Sequence, residues 1–245
     1  MPEEFGGSDF GIAGISVIMQ ELGKTLTPSP ILATSVLGVS TINLLGSNEQ
    51  KTKYLPKIVS GEITTALAID EGNHHSPFDI ETTATLDGDK WALNGQKVFI
   101  IDGASADYIL IVARTSGKKG ESNGLSVFVS DKNSEGLEIS KISTADCRNY
   151  ANLTINNLIL DGDALLGEVD IAGEIVEKVL DLGRIAMASE MLGNTEEAFE
   201  ITVSYLKERK QFGVLIGSFQ ALQHRAAKMF CEIELTKSAV LAAMH

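Results

Sequence analysis

Two adjacent histidines near a glutamate are the first residues in this sequence that could do chemistry. His74 and His75 follow Glu71 closely, and all three are residue types that bind metal ions. Adjacent side chains on an extended segment point to opposite faces, and the spacing differs from the HExxH pattern of zinc-binding helices. The pattern therefore favours a loop pair without a metal ion.

A second candidate is the basic turn Gly117-Lys118-Lys119-Gly120, whose lysines could meet a phosphate group. The sequence has no GxGxxG, no P-loop, no GxSxG elbow and no visible His/Cys catalytic pair. The turn is therefore better interpreted as a surface turn, and the residues taken alone show no self-evident catalytic centre.

Cys147 and Cys231 lie far apart and form no CxxC motif. We expect both to be reduced, buried thiols, which makes a reducing compartment the default and predicts a cytoplasmic protein. The acidic start Met1-Pro2-Glu3-Glu4 lacks the features of a signal or transit peptide. No apolar run reaches the ~18–20 residues of a transmembrane helix.

The charge balance excludes one class of partner. Lysine and arginine total 20 and aspartate and glutamate total 33, so the net charge is −13. Nucleic-acid binding requires clustered basic residues, so we expect no nucleic-acid partner. Hydrophobic residues make up 44% of the 245 residues, which is enough to form a folded core.

Three stretches of different character must position these residues, and together they predict an α+β protein. Residues 1–62 are predicted to be mostly helical, and Ser47 with Gln50 has the form of a capping box. Residues 63–165 contain short apolar runs between turn residues, which is typical of an antiparallel β-barrel or sandwich. Residues 166–245 return to helical spacing. We predict these three stretches as domains.

Seven apolar runs in the middle stretch are predicted to be strands. They are residues 63–69, 91–93, 97–101, 108–113, 125–129, 137–142 and 153–160. Asp87-Gly88 is a hairpin signal between alternating runs. The last stretch predicts long helices over 171–210 and 219–244, in which Gly183 and Gly193 allow a bend or the close approach of another backbone.

Four local strings, in this order along the chain, resemble the acyl-CoA dehydrogenase family. Residues 2–8 are similar to the family's PEEYGGSG, and residues 47–62 to GTxEQKxKYLPxLxxGE. Residues 95–107 resemble GxKxFITNGxxAD, and residues 209–224 resemble RxQFGxPIxxFQALQH. The resemblance covers essentially the whole chain. It implies N-terminal helices, a middle β-barrel and an incomplete C-terminal bundle of long helices, in a chain shortened at both ends.

The resemblance implies an FAD cofactor held between the β-barrel and the C-terminal helices, with a second subunit completing the site. Arg209 matches the arginine that meets the FAD pyrophosphate of the neighbouring subunit, and a guanidinium suits phosphate oxygens. Phe212 would pack near the flavin ring, and Gln220 would reach the FAD across the dimer. Phe99 matches the aromatic residue that covers the flavin. Ile101 stands at the family's threonine, so only its backbone could contact the flavin.

The segment after the first predicted strand departs from the family's ALTEPxAGSD. Glu71 matches the glutamate of that string, and Asp70 stands at its threonine. A carboxylate at Asp70, beside the flavin pyrimidine, would disfavour the negative charge of reduced flavin. The resemblance therefore implies an altered flavin environment.

The substrate side also departs from the family pattern. Arg184 matches the motif arginine of the long helix and Asp181 the acid three residues earlier, which implies substrate binding by both. Gly183 stands where one family arrangement has its catalytic glutamate, and the sequence stops before the position of the other. We therefore expect no appreciable turnover from these 245 residues alone. If turnover is found, Asp181 and Glu71 are the bases to test.

The function implied by the resemblance is oxidation of an acyl-CoA to a 2-enoyl-CoA in fatty acid metabolism, with FAD as hydride acceptor. The alternative is a catalytically silent, structural or FAD-sharing subunit of a hetero-oligomeric acyl-CoA dehydrogenase. A flavin monooxygenase or nitroalkane-type oxidase on the same scaffold has no residue in its favour. We expect an acyl-CoA substrate, an electron-transfer acceptor and a homo- or hetero-oligomer.

Overall fold

The computed structural model describes residues 1–244, which divide into two compact units. The first unit comprises residues 1–9 and 30–183, and the second comprises residues 10–29 and the chain from residue 184 onward. The three-part division predicted from residue character is a different one and stays a prediction. Within the described residues, no helix is both long enough and apolar enough to cross a membrane.

Helices lie at both ends of the chain. Within residues 1–244 the five α-helices are α1 (Gly11–Thr25), α2 (Val39–Leu45), α3 (Asn48–Val59), α4 (Ala172–Glu208) and α5 (Gln220–Ala243). Short 3-10 turns span Glu3–Phe5, Gly162–Ala164 and Ile216–Ser218, and a π-helical segment, Ile31–Gly38, leads into α2. The two long helices predicted at the C-terminal end are therefore present as α4 and α5.

Ten strands lie between α3 and α5. They are β1 (Thr65–Ala68), β2 (Thr83–Asp87), β3 (Lys90–Ile100), β4 (Tyr108–Arg114), β5 (Leu125–Asp131), β6 (Leu137–Lys141), β7 (Ala151–Asp161), β8 (Leu165–Leu166), β9 (Lys210–Gln211) and β10 (Val214–Leu215). The first eight form one sheet in the order β6-β7-β3-β2-β4-β5-β8, with β1 beside β4. Most pairings are antiparallel, and β1 and β2 each pair with β4 in parallel.

The central strands of the sheet are buried on both faces, which explains their continuous apolar runs. In β4, Leu110 and Val112 contact a core formed with α2, α3 and the start of α4. Ile109 and Ile111 point to the opposite face, where Trp91 and other side chains of the sheet form a second core. Alternate residues of one strand therefore serve two cores.

The capping box predicted at the start of α3 is confirmed. The Ser47 hydroxyl accepts a hydrogen bond from the Gln50 N–H at 3.2 Å, and the Gln50 side chain accepts one from the Ser47 N–H at 2.9 Å. The Gln50 amide also donates to the carbonyls of Asp163 and Leu165. This residue therefore both caps α3 and holds it to the segment that contains β8.

The strand predicted as two runs, 91–93 and 97–101, is one strand, β3, with a bulge. The register with β7 shifts between Leu93 and Gly95. Gly95 has a φ of +153°, and a side chain there would overlap the Thr82 hydroxyl. The polar residues around this bulge interrupt the apolar pattern without interrupting the strand.

Two expectations about local structure need correction. The strand list lacked β2 and the two-residue strands β8, β9 and β10. In β2 the single buried side chain, Ala84, leaves almost no alternating signal, and the hairpin turn that follows this strand is Gly88-Asp89. Cys147 and Cys231 are free thiols, but both are exposed rather than buried. Cys147 lies in an irregular loop and Cys231 on the exposed side of α5, so neither reaches a core.

Candidate functional site

The segment after β1 contains a buried ion pair that the sequence did not reveal. The Lys97 side chain, which is fully buried, donates from Nζ to a Glu71 carboxylate oxygen at 2.7 Å and to the Ile69 carbonyl at 2.9 Å. The Glu71 carboxylate also accepts the backbone N–H groups of Glu81 and Thr82. The acceptor sites of Glu71 are therefore largely occupied by groups of the protein itself.

The ion pair governs the protonation of both residues. Burial lowers the pKa of Lys97 to about 8, against the raising effect of the Glu71 charge. Burial alone would raise the pKa of Glu71, but the Lys97 ammonium and the N–H donors hold it below its usual value. The lowered pKa of Glu71 favours a carboxylate held in place by these donors, and it counts against Glu71 as a base for a substrate.

Asp70 and His75 form a second polar pair on the same segment. The His75 Nδ1 atom lies 2.9 Å and 3.1 Å from the two Asp70 carboxylate oxygens. The same carboxylate accepts the Ser76 N–H at 3.0 Å. Asp70 is therefore not a free charge, because an imidazole and a backbone N–H both contact it.

The end of β3 presents an exposed aromatic residue on a strained backbone. Phe99 has a φ of +53° and is 55% exposed. Its ring stacks on that of Tyr150, with centroids 4.5 Å apart and planes at 27°, and its N–H donates to the Asn152 side chain. Ile101 follows in a partly buried turn. A left-handed backbone is unfavourable for a bulky residue and marks positions under functional constraint.

Asp102, in the turn after β3, is a buried carboxyl group. It is 8% exposed, its φ is +57°, and one carboxylate oxygen has no hydrogen-bond partner within the described residues. Burial raises its pKa, against the charge of Arg148 and a hydrogen bond from the Asn149 N–H. The turn that follows Phe99 therefore contains a carboxyl group that accepts the Asn149 N–H, and burial disfavours its charged form.

Three residues predicted to contact the cofactor, Arg209, Phe212 and Gln220, lie in one short stretch of the second unit. Strands β9 and β10 form a hairpin whose turn is Phe212-Gly213, with φ of +54° and +79°. The Phe212 side chain is 91% exposed, and its ring meets that of Phe219 edge-on at 6.2 Å.

The remaining two residues lie on either side of this hairpin. The Arg209 carbonyl accepts the Ile216 N–H at 2.8 Å, and Gln220 begins α5 directly after Phe219. The side chains of Arg209 and Gln220 are exposed. The structure therefore brings Arg209, Phe212 and Gln220 together around the hairpin.

The residues predicted for the substrate lie on α4. Asp181 and Arg184 are three positions apart and exposed, and each makes a polar interaction in the structure. Asp181 belongs to the first unit and Arg184 to the second. Their substrate role stays a prediction.

The histidine pair His74-His75 and the basic turn 117–120, the first two candidates from the sequence, have ordinary surroundings. Among residues 1–244, no group of three or more metal-ligating side chains could hold a metal ion. Lys119 pairs with Glu81 at 3.0 Å, and the Lys118 N–H donates to Glu121. A polar cavity of about 350 Å³ lies between His74 and this turn. Two of its three carboxylates, Glu71 and Glu81, already pair with lysines.

Family models settle the lineage of this fold. Models of the acyl-CoA dehydrogenase N-terminal, middle and C-terminal domains match residues 1–62, 66–158 and 173–245. This chain belongs to the acyl-CoA dehydrogenase family. The predicted fold class is confirmed with it, as N-terminal helices, a middle sheet and C-terminal helices.

Individual members of the acyl-CoA dehydrogenase family are similar along nearly the whole chain. A short-chain specific acyl-CoA dehydrogenase of Clostridium acetobutylicum is 32% identical over 249 residues, which cover 99% of this chain and 65% of that protein. Subunit CarC of the caffeyl-CoA reductase-Etf complex of Acetobacterium woodii is 31% identical, covering 97% of this chain and 64% of that protein.

A solved structure of PigA with FAD and proline has a TM-score of 0.92 and 25% identity, covering all of this chain and 66% of that one. The acyl-CoA dehydrogenase-family chain described here therefore spans about two thirds of the length of these relatives.

Proposed function

We propose that this chain forms the FAD- and acyl-thioester-binding part of an oxidoreductase that converts an acyl-CoA to a 2-enoyl-CoA. Membership of the acyl-CoA dehydrogenase family supports the reaction class, and FAD is present in the related PigA structure. The residues of this chain also have the right chemistry for FAD. A guanidinium at Arg209 suits a pyrophosphate, and exposed aromatic rings at Phe99 and Phe212 suit a planar ring system.

The observation that carries the proposal is the strained, exposed position of Phe99 and Phe212. Each holds a left-handed backbone, which costs of order 1–3 kcal/mol for a non-glycine residue. Each presents its ring outward, at 55% and 91% exposure. The chain supports both backbones itself, through the Tyr150 stack and the Asn152 acceptor at Phe99 and through the hairpin turn at Phe212. The exposed ring faces are the surfaces that a planar ligand would contact.

Each proposed cofactor residue has a distinct task. In the first unit, Phe99 would cover the flavin of bound FAD. In the second unit, Arg209 would bind the pyrophosphate of the FAD held by the neighbouring subunit, Phe212 would pack near a flavin ring, and Gln220 would reach the FAD across the dimer. Ile101 offers its backbone N–H, since its side chain has no donor. Bound FAD supplies a two-electron acceptor for the substrate's β-hydride.

The alternative of an FAD-sharing subunit has two observations in its favour. CarC is by name a subunit of a larger complex. In this chain Gly183 provides no carboxylate, and Glu71 is engaged by Lys97. A subunit of this kind would bind FAD with Arg209 while another chain supplied the catalytic base.

Titration of the purified protein with FAD, followed by flavin absorbance and fluorescence, tests the proposal. We expect Phe99→Ala to weaken FAD binding about tenfold, the equivalent of ~1.4 kcal/mol for a lost ring contact. Leu86→Ala is the matched control, because Leu86 is an exposed apolar residue of β2 with 54% exposure. Failure of the parent protein to bind FAD, or equal binding by Phe99→Ala, would contradict the proposal.

A further inference from the structure

A bulge near the end of β3 redirects the Phe99 side chain. The last regular pair before the bulge joins Lys97 to Leu153 of β7. The next pair joins Ile100 to Ala151, so three residue steps in β3 oppose two in β7. Phe99 lies inside this bulge and has the left-handed φ of +53°. A bulge bends its strand and re-aims a side chain, so Phe99 leaves the regular alternation of the sheet.

Two side chains at the start of β7 hold the redirected residue. The Asn152 side-chain oxygen accepts the Phe99 N–H at 3.0 Å. The Tyr150 ring, directly before β7, stacks on the Phe99 ring with centroids 4.5 Å apart and planes at 27°. A stacked ring covers one face of its neighbour. Phe99 nevertheless remains 55% exposed, so its other ring face is left for a ligand.

Tyr150 is itself fixed in place. Its hydroxyl donates to the Asp146 carboxylate at 3.2 Å, and its carbonyl accepts the Ile142 N–H at 2.8 Å. Burial, and then the charge of Asp146, raises the pKa of the Tyr150 phenol, so the ring is neutral at pH 7. A ring that is already immobilised supports its neighbour without a further ordering cost when a ligand binds.

The turn that follows Phe99 is joined to the loop that carries Tyr150. The Asp102 carboxylate accepts the Asn149 N–H, and the Asn149 carbonyl accepts the Ala104 N–H at 3.1 Å. The two segments that contribute the stacked rings are therefore also joined by hydrogen bonds. All of these residues lie in the first unit.

We propose that Tyr150 is a positioning residue for the flavin contact of Phe99, an inference that rests on the proposed function. Tyr150 covers one face of the Phe99 ring, and Phe99 would present the opposite face to the flavin of bound FAD. Tyr150 therefore acts through Phe99, by fixing the plane in which the Phe99 ring lies.

A double-mutant cycle on FAD affinity tests this assignment. Tyr150→Leu removes the ring but keeps an apolar side chain. We expect it to weaken FAD binding about threefold to tenfold, the equivalent of one aromatic pair. In the Phe99→Ala background the same substitution should change the affinity by less than about twofold, because Tyr150 then has no ring to support. Tyr150→Phe keeps the ring and should bind FAD like the parent.

A spectroscopic signature and a control separate positioning from folding. The visible circular dichroism of bound flavin reflects its asymmetric surroundings. It should weaken in Tyr150→Leu toward the Phe99→Ala value and be retained in Tyr150→Phe. Tyr150→Met is a second variant without the ring, and thermal unfolding shows which variants are folded. Ile159→Ala is the matched control, because Ile159 is 47% exposed on β7, and it should bind FAD like the parent.

Each outcome decides between the two proposals. Parent affinity and parent flavin circular dichroism in Tyr150→Leu would overturn the positioning role and leave the proposed function standing. Losses that multiply in the double variant, or equal weakening by Tyr150→Phe and Tyr150→Leu, would also overturn it, because Tyr150 would then not act through a ring stacked on Phe99. A parent that does not bind FAD, or equal binding by Phe99→Ala, overturns the proposed function and the role of Tyr150 with it.

Discussion

Lys97 and Glu71 illustrate how one buried pair fixes the segment that leads to the candidate site. The Lys97 side chain is fully buried and meets Glu71 at 2.7 Å, while Lys119 and Glu81 form a similar pair at 3.0 Å with both side chains more than half exposed. Removing one partner of a buried pair leaves the other charge uncompensated, whereas exposed pairs contribute little.

We therefore expect Lys97→Met to lower the free energy of unfolding by about 3–5 kcal/mol. Lys119→Met, the matched control at the exposed pair, should leave the free energy of unfolding essentially unchanged, because solvent screens an exposed pair. Urea unfolding followed by circular dichroism at pH 7 measures both. Equal effects of the two substitutions would mean that Lys97 is not a buried ion-pair partner.

The buried carboxyl of Asp102 predicts a pH-dependent stability. Its pKa in the folded state is raised by burial, so the folded protein holds this proton at pH values where the unfolded chain has released it. Asp102 therefore destabilises the folded protein increasingly as the pH rises above the ordinary pKa of an aspartate, near 3.8. Asparagine resembles the neutral form and tolerates the left-handed backbone.

Asp102→Asn should raise the free energy of unfolding by about 1 kcal/mol at pH 7, the scale of one unsatisfied buried polar group. The gain should shrink as the pH falls toward 4. Parallel urea titrations at the two pH values measure the difference. A loss of stability at pH 7, or an equal gain at the two pH values, would show that burial does not raise the pKa of the Asp102 carboxyl group.

Sequence reasoning found some of these residues and missed others for physical reasons. Phe99 follows from a recognisable string on β3. The Asp70–His75 and Glu71–Lys97 pairs do not, because hydrogen bonds formed by loop side chains depend on backbone paths that periodicity does not encode. The same limit explains why the expected burial of Cys147 and Cys231 was wrong, because their exposure depends on the loop and the helix face that carry them.

Among the elements, the crossing of α1 and α4 in the second unit depends on two glycines. A side chain at Gly193 would overlap the carbonyl oxygen of Gln20, and one at Gly23 would overlap that of Glu190. The two helices therefore meet backbone to backbone, as the sequence allowed for Gly193. At Gly183, an added methyl group would meet only the end of the Leu37 side chain at 2.9 Å.

Gly193→Ala should therefore lower the melting temperature, with a cost of ~1–3 kcal/mol from overpacking that outweighs the gain in helix propensity. Gly183→Ala, on the same helix, is the matched control and should be close to neutral because Leu37 can move. Differential scanning calorimetry measures both. Stabilisation by Gly193→Ala would show that the backbones are not in contact there.

The elements themselves were largely predictable. Helix periodicity gave α4 and α5, apolar runs gave most strands, and Ser47 with Gln50 marked the start of α3. Among the missed strands, β2 is held by pairing with β3 rather than by apolar burial, and β8, β9 and β10 are only two residues long. The π-helical segment Ile31–Gly38 reads as an ordinary apolar helix, because its wider turn leaves no signature in residue type.

At the scale of the whole molecule, the second unit exposes many large apolar side chains on its helices. They include Met191, Ile201, Tyr205, Phe230, Leu235 and Leu241. Exposed apolar surface of this kind marks an interface or a tendency to aggregate. We therefore predict that the chain forms a dimer or larger species. Sedimentation velocity at micromolar concentration measures it, and a stable monomer with no tendency to associate would contradict it.

The central claim, that this chain binds FAD through Arg209 and the exposed aromatic residues, is tested most directly by comparing two flavins. FAD carries a pyrophosphate and riboflavin carries none. Arg209→Ala should weaken FAD binding by ~1.5–3 kcal/mol, the range for a charge-assisted hydrogen bond, and leave riboflavin affinity unchanged. Arg225→Ala, an exposed arginine of α5, is the control. Unchanged FAD affinity, or an equal loss for both flavins, would contradict the account.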